Sequence, residues 1–219
     1  MVMWLRRGRR FPDPELEADE HGLVAIGGEI APELLLEAYA RGIFPWSSDP
    51  VPTWWSPHPR AVFPLDTWKP HRTLLRSIRR AGWTFTTDRA FVEVMHGCAE
   101  PTERRPETWI TEDFIAAYTD LNDHGLAHSV EVWERAELVG GIYGVALGGY
   151  FGGESMFHRR TDASKAAVMH LIEHLRARGF TLFDAQVMNP HLQRLGAVSV
   201  RRTDFLRQLK SAIAIPATF

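Results

Sequence analysis

Apolar positions change their spacing along this chain, and the changes divide it into regions. In Ala31–Arg41 the apolar Leu34, Leu35, Ala38 and Tyr39 recur at helical spacing, and Gly42 ends the run. The next stretch, GIFPWSSDPVPTWWSPHPRAVFP, carries six prolines and three tryptophans, too interrupted for long regular structure. Helical patterning returns over His71–Ala81, Asp88–Ala99 and Thr111–His124, the last with Thr111 as a candidate N-cap and Gly125 just past its end. The period then shortens to two. Ser129–Trp133, Leu138–Leu147 and Tyr150–Phe157 read as a strand meander whose last two members are joined by Gly148-Gly149. A helix over Ala163–Arg178, a strand over Thr181–Val187 and further helical segments complete the chain. The expectation is an α+β protein: a small N-terminal α/β domain over 1–70, rich in Pro and Trp, and a second domain over 71–219 with a mixed sheet flanked by helices.

Composition narrows the function classes. The 219 residues are 45% hydrophobic and 24% charged, as in an ordinary folded domain. With 25 Lys+Arg against 27 Asp+Glu the formal net charge is -2, so any basic surface is local. A single cysteine, Cys98, excludes an internal disulfide and points to a reducing, cytoplasmic setting. The opening MVMWLRRGRR lacks the apolar run of a secretory signal. The longest uncharged run, Leu138–Gly153, has 16 residues of which seven are glycine, and reads as strands rather than a membrane helix.

Several residue groups are candidates for chemistry. His170, Glu173 and His174 match the H-x-x-E-H spacing of one zinc peptidase group. The apolar face of that helix, however, is Ser164, Val168, Leu171, Ile172 and Leu175, which puts both histidines on the opposite, solvated side. No later glutamate completes a site, so no metal is expected. His124 and His128 straddle Gly125 and make a weaker case. Glu154 in GGESMF ends a strand just before a turn and helix, the place where α/β sheets bind ligands. A carboxylate among Phe151, Met156 and Phe157 needs a donor or cation. In the next strand, period two puts Asp184 and Gln186 on one face, where they could converge with Glu154 over the sheet or form a buried polar network. Thr161 or Asp162 is expected to cap the long helix. FHRRTDASK has no glycine-rich turn to hold a pyrophosphate, which argues against acetyl-CoA, and no cofactor is expected.

Arginines cluster at Arg6, Arg7, Arg9 and Arg10, at helical spacing at Arg72, Arg76, Arg79 and Arg80, and at Arg201, Arg202 and Arg207 with Lys210. Each can be a solvated face or a phosphate-binding stripe. Trp46, Trp54, Trp55 and Trp109 can pack in the core or stack on a base.

Taken together, GLVAIGGEI, YARGIFPW, WWSPHPRAVF, TWIT, the Ala136–Gly144 segment, GGESMF, ASKAA and FDAQVMNPHLQRLGA resemble the leucyl/phenylalanyl-tRNA protein transferase family, from about Phe11 to about Phe205. The resemblance implies an acetyltransferase-like (GNAT) fold in the second domain without acetyl-CoA. It implies transfer of Leu or Phe, less readily Met, from Leu-tRNA or Phe-tRNA to the N-terminal Arg or Lys of a protein, marking that protein for degradation. Carried over by motif, the catalytic residues are Glu154, Asp184 and Gln186. Ile142, Phe151, Met156, Val168, Leu171, Leu175 and Phe183 match an apolar pocket for the aminoacyl side chain, and Trp46 and Trp109 match positions near the terminal adenosine. Ala185 and Arg194 depart from the commoner residues of the family.

Aminolysis of an aminoacyl ester is downhill and requires neither metal nor covalent nucleophile, so positioning and a modest proton relay suffice. On this reading Asp184 orients Gln186 and draws the proton of the incoming amine, while Glu154 holds the α-ammonium of the aminoacyl group. A peptidoglycan-bridge aminoacyltransferase and a non-catalytic tRNA-end binding module are the alternative readings.

Overall fold

The computed structural model describes residues 3–6, 10–46, 51–101 and 106–219. Arg7 and Arg9 of the first arginine cluster, and Arg104 and Arg105, lie outside them. The Pro/Trp-rich region does form strands, kept to three or four residues by its prolines: β3 (Phe44–Trp46), β4 (Thr53–Trp55) and β5 (Arg60–Phe63). With β1 (Met3–Leu5) and β2 (Leu23–Gly27), the first two of these build a four-stranded sheet in the order β1-β2-β4-β3. Two helices accompany it, α1 (Pro14–Glu17) and α2 (Pro32–Ala40), each opened by a proline in its first turn, where no backbone N–H is needed.

The remaining elements are α3 (Arg72–Ala81), β6 (Thr84–Thr87), α4 (Phe91–Ala99), α5 (Glu112–Asp123), β7 (Ala127–Glu134), β8 (Glu137–Leu147), β9 (Tyr150–His158), α6 (Ala163–Ala177), β10 (Leu182–Gln186), α7 (Pro190–Leu195), β11 (Val198–Val200) and α8 (Arg202–Ile213). A seven-stranded mixed sheet runs β11-β5-β10-β9-β8-β7-β6, with β9 and β10 parallel and their outer neighbours antiparallel. The α+β class and the mixed sheet between helices are as expected. Strands β5, β6 and β11 were not anticipated; they are too short to set up a periodicity and gain their hydrogen bonds only from distant partners.

The two faces of the large sheet are covered differently. One carries α6, buried nearly all round, against Ile142, Phe151 and Phe183. The other carries α4, α5 and α8, where Phe91, Phe114 and Phe205 pack with Tyr143 and Tyr150 in a core continuous with α2 and the small sheet. The histidines of the H-x-x-E-H spacing are therefore not on a solvated side. His170 stacks on Phe85 at 4.7 Å, and His174 packs against Phe219 at 4.3 Å, both half-buried, because β6 and the segment after α8 wrap around that flank of α6. Among the described residues no three metal-ligating side chains come together, and no helix is long and apolar enough to cross a membrane.

Candidate active site

The parallel ladder between β9 and β10 has three pairs, Leu182 with Tyr150, Phe183 with Phe151 and Asp184 with Gly152, and ends there although both strands continue. Beyond Gly152 and Asp184 they separate, and a cavity of about 390 Å³ opens between them. Each strand breaks its own regularity at this point. On β9 the antiparallel register with β8 steps from Tyr143 opposite Ser155 to Gly144 opposite Gly153, so Glu154 is the extra residue of a β-bulge. Gly144 is required opposite it, since a Cβ there would lie 2.2 Å from the Gly152 carbonyl oxygen. On β10 Gln186 adopts a φ of +62°, the left-handed region, and the pairing with β5 shifts between Asp184 and Gln186.

These two irregularities bring Glu154 and Gln186 together: Gln186 Nε2 donates to Glu154 Oε1 at 2.6 Å. Tyr118 Oη donates to Glu154 Oε2 at 3.2 Å, and the Tyr118 and Tyr39 hydroxyls are hydrogen-bonded to each other, both rings being fully buried. Burial pushes the Glu154 carboxyl up to about 7, and the hydrogen bonds from Tyr39, Tyr118 and Gln186 hold it from rising further. Burial likewise raises both tyrosine hydroxyls, which stay protonated donors at neutral pH.

Asp184 occupies a different place from the one period two assigned. It is 0% exposed and does not border the cavity. Its oxygens accept from Arg60 Nε at 2.9 Å and Nη2 at 2.7 Å, from Tyr150 Oη at 3.0 Å, and from the Gln186 backbone N–H at 2.8 Å. The left-handed turn at Gln186 breaks the alternation, so that its side chain reaches the cavity while Asp184 stays beneath. Arg60 was missed in the sequence. It too is 0% exposed, donates to the Gly42 carbonyl at 3.1 Å, and lies between the rings of Phe44 at 4.8 Å and Phe205 at 4.4 Å. Burial alone would lower its pKa, but the Asp184 carboxylate reverses the sign and holds it above the usual value. The only hint in the sequence was an arginine opening the otherwise apolar Ala61-Val62-Phe63.

Of the residues matched to an apolar pocket, Ile142, Met156, Val168 and Phe183 line the cavity, joined by Phe63, Ala185 and Leu192. Phe151, Leu171 and Leu175 do not: they are at most 1% exposed and fill the core behind that wall. Trp46 and Trp109 both border the cavity; Trp46 is 44% exposed and Trp109 meets Phe114 edge-on at 5.2 Å. Trp54 is instead a core residue, with its Nε1 donating to the Gly27 carbonyl at 2.8 Å. Among the arginine clusters, Arg201 and Arg207 are paired with Asp204, whereas the α3 arginines form no ion pair among the described residues.

Residues 62–210 match the family described as leucyl/phenylalanyl-tRNA protein transferase, and residues 28–58 match that family's N-terminal domain. A relative of that name from Shewanella sediminis (strain HAW-EB3) is 54% identical over 204 residues, spanning 92% of this chain and 86% of its own. One from Shewanella baltica (strain OS185) is 52% identical over 215 residues, spanning 95% and 90%. The chain belongs to the leucyl/phenylalanyl-tRNA protein transferase family. It is therefore an aminoacyltransferase, in accord with the resemblance and against the alternative readings as a cell-wall aminoacyltransferase or a non-catalytic module. Among solved structures, L-PGS from Bacillus licheniformis aligns with a TM-score of 0.47 at 14% identity over 86% of this chain and 72% of its own. A GCN5-related N-acetyltransferase from Kribbella flavida aligns with a TM-score of 0.40 at 15% identity over 77% and 60%.

Proposed function

We propose that this enzyme moves leucine or phenylalanine, and less readily methionine, from aminoacyl-tRNA to the N-terminal Arg or Lys of an acceptor protein, marking it for degradation in the cytoplasm. The observation that carries this reading is the Glu154–Gln186 pair at the edge of an apolar cavity, in a chain of this family. The aminoacyl side chain lies against Ile142, Met156, Val168 and Phe183, and the terminal adenosine lies between Trp46 and Trp109. Glu154 holds the donor's α-ammonium; a cation there draws its pKa down from about 7 and favours the ionised form.

With Gln186 Nε2 committed to Glu154, its side-chain carbonyl is left to accept from the incoming amine and aim the nitrogen lone pair at the ester carbon. An N-terminal amine, with a pKa near 8, is partly neutral at cellular pH. The new C–N bond forms, the C–O bond to the ribose breaks, and the amine's proton ends on the departing ribose oxygen. Asp184, with every accessible lone pair already engaged, acts as a positioning residue that sets the backbone of Gln186 rather than as the proton acceptor. Because one methylene is worth only about 1–3 kcal/mol in an apolar pocket, discrimination against methionine is incomplete.

The test is mass spectrometry of an N-terminal Arg peptide incubated with the enzyme and separately charged Leu-, Phe- and Val-tRNA. A leucyl or phenylalanyl increment with little valyl product is expected. Equal transfer of all three would remove the pocket from the account, and acetylation from acetyl-CoA would overturn the donor class.

A further inference from the structure

Helix α7 separates two concave sites. Leu192 on one side borders the cavity described above, and His191, Arg194 and Leu195 on the other border a second cleft of about 190 Å³. Its remaining walls come from Trp68, from the start of α3, with His71, Thr73 and Leu74, and from the start of α6, with Asp162 and Lys165. Four lining side chains end in basic groups, His71, Lys165, His191 and Arg194, of which Lys165 and Arg194 carry the charge. Asp162 is the one carboxylate in the cleft, and Lys165 Nζ occupies it at 2.6 Å. Arg194 is exposed and forms no ion pair among the described residues, so the cleft carries an uncompensated positive charge. Burial, together with the nearby Lys165 and Arg194 charges, holds the His191 imidazole below its usual value.

From these placements we infer that the cleft between α3, α6 and α7 is a phosphate subsite that holds one backbone phosphodiester of the donor RNA, with Arg194 as its principal cation. The inference rests on the proposed donor, because an RNA whose 3′ end enters the first cavity must pass its backbone over an edge of that cavity, and α7 is one such edge. Size and charge both suit a single phosphate, and Arg194 presents a planar fork that a compact ammonium does not. The cleft also explains a departure noted in the sequence: arginine at 194 makes a contact that a small polar residue cannot reach.

The experiment compares wild-type enzyme, Arg194→Gln and Lys165→Gln on two donors, Phe-tRNA and the phenylalanyl ester of adenosine, which has no backbone phosphate. Arg194→Gln is expected to raise KM for Phe-tRNA about tenfold at unchanged kcat, and to leave transfer from the adenosine ester alone. The slope of log affinity for uncharged tRNA against log salt should become shallower by about one. Unchanged KM and salt slope in both variants, or an equal loss on the adenosine ester, would overturn the subsite. Displacement of tRNA by low-millimolar inorganic phosphate would make the cleft a free-anion site instead. Failure of the donor reading looks different: wild-type enzyme would transfer from neither donor, while the salt slope for uncharged tRNA would still report on Arg194.

Discussion

The two faces of the seven-stranded sheet meet at the cavity and contribute opposite kinds of chemistry. On the α6 face the wall is Ile142, Met156, Val168 and Phe183, apolar side chains that recognise shape. On the other face lies a buried polar assembly, Arg60 with Asp184 and Tyr150, and Tyr39 with Tyr118 and Glu154, which fixes where donors and acceptors point. The first face can be altered one methyl at a time at modest cost. The second cannot, because each member satisfies a neighbour that would otherwise be buried without a partner.

The largest expected effect breaks the polar side. Arg60→Ala leaves the Asp184 carboxylate buried and unpaired, at a cost of about 3–5 kcal/mol in urea denaturation. Arg60→Met combined with Asp184→Leu should regain only part of that stability, because Tyr150 Oη and the Gln186 N–H still lose their acceptor, and should still transfer nothing. Activity in the double variant would reduce the pair to a packing role.

Next is Glu154→Gln, for which transfer should fall about 100-fold in kcat with the fold intact. Its pH signature has a definite sign. The folded-state pKa of about 7 lies above the ordinary 4.5, so between those values the folded protein holds the extra proton and stability falls as pH rises, levelling off above about 7. Denaturation midpoints at pH 5 and pH 8 should differ more for wild type than for Glu154→Gln. Wild-type transfer should climb through neutral pH as the carboxyl ionises.

The smallest effect belongs to the apolar face. Val168→Phe fills part of the cavity and should lower kcat/KM for Phe-tRNA relative to Leu-tRNA by about tenfold, leaving the pH profile unchanged. A shift in the pH profile instead would mean that the faces are not separable.

Much of this arrangement was legible from patterning, and the exceptions have a common cause. Helices α2 to α6 and the β7–β8–β9 meander fall within a few residues of their expected bounds, because long periodic segments advertise themselves. Convergence of Glu154, Asp184 and Gln186 was one of two readings of adjacent strands, and the alternation behind it is broken at both Glu154 and Gln186, by a bulge in one strand and a left-handed residue in the other. That is why Asp184 was expected beside Gln186 and lies beneath it. Arg60 escaped notice because its partner is 124 residues away and its strand has only four residues. Phe151, Leu171 and Leu175 were matched to the pocket by the family resemblance, and the helical periodicity that places Leu171 and Leu175 on an inner face does not distinguish the layer that lines a cavity from the layer behind it.

The separating strands also limit how the enzyme can be remodelled. The last ladder pair is Gly152 with Asp184, and the next residue of β9, Gly153, borders the cavity and already has the Phe183 ring 3.0 Å from where a Cβ would stand. At Gly153 the cavity wall is therefore main chain, which no side-chain truncation can cut back. Directed evolution on this scaffold can reshape the side-chain walls and so exchange one medium-sized amino acid for another, but more room beside Gly153 would require the strands themselves to part earlier.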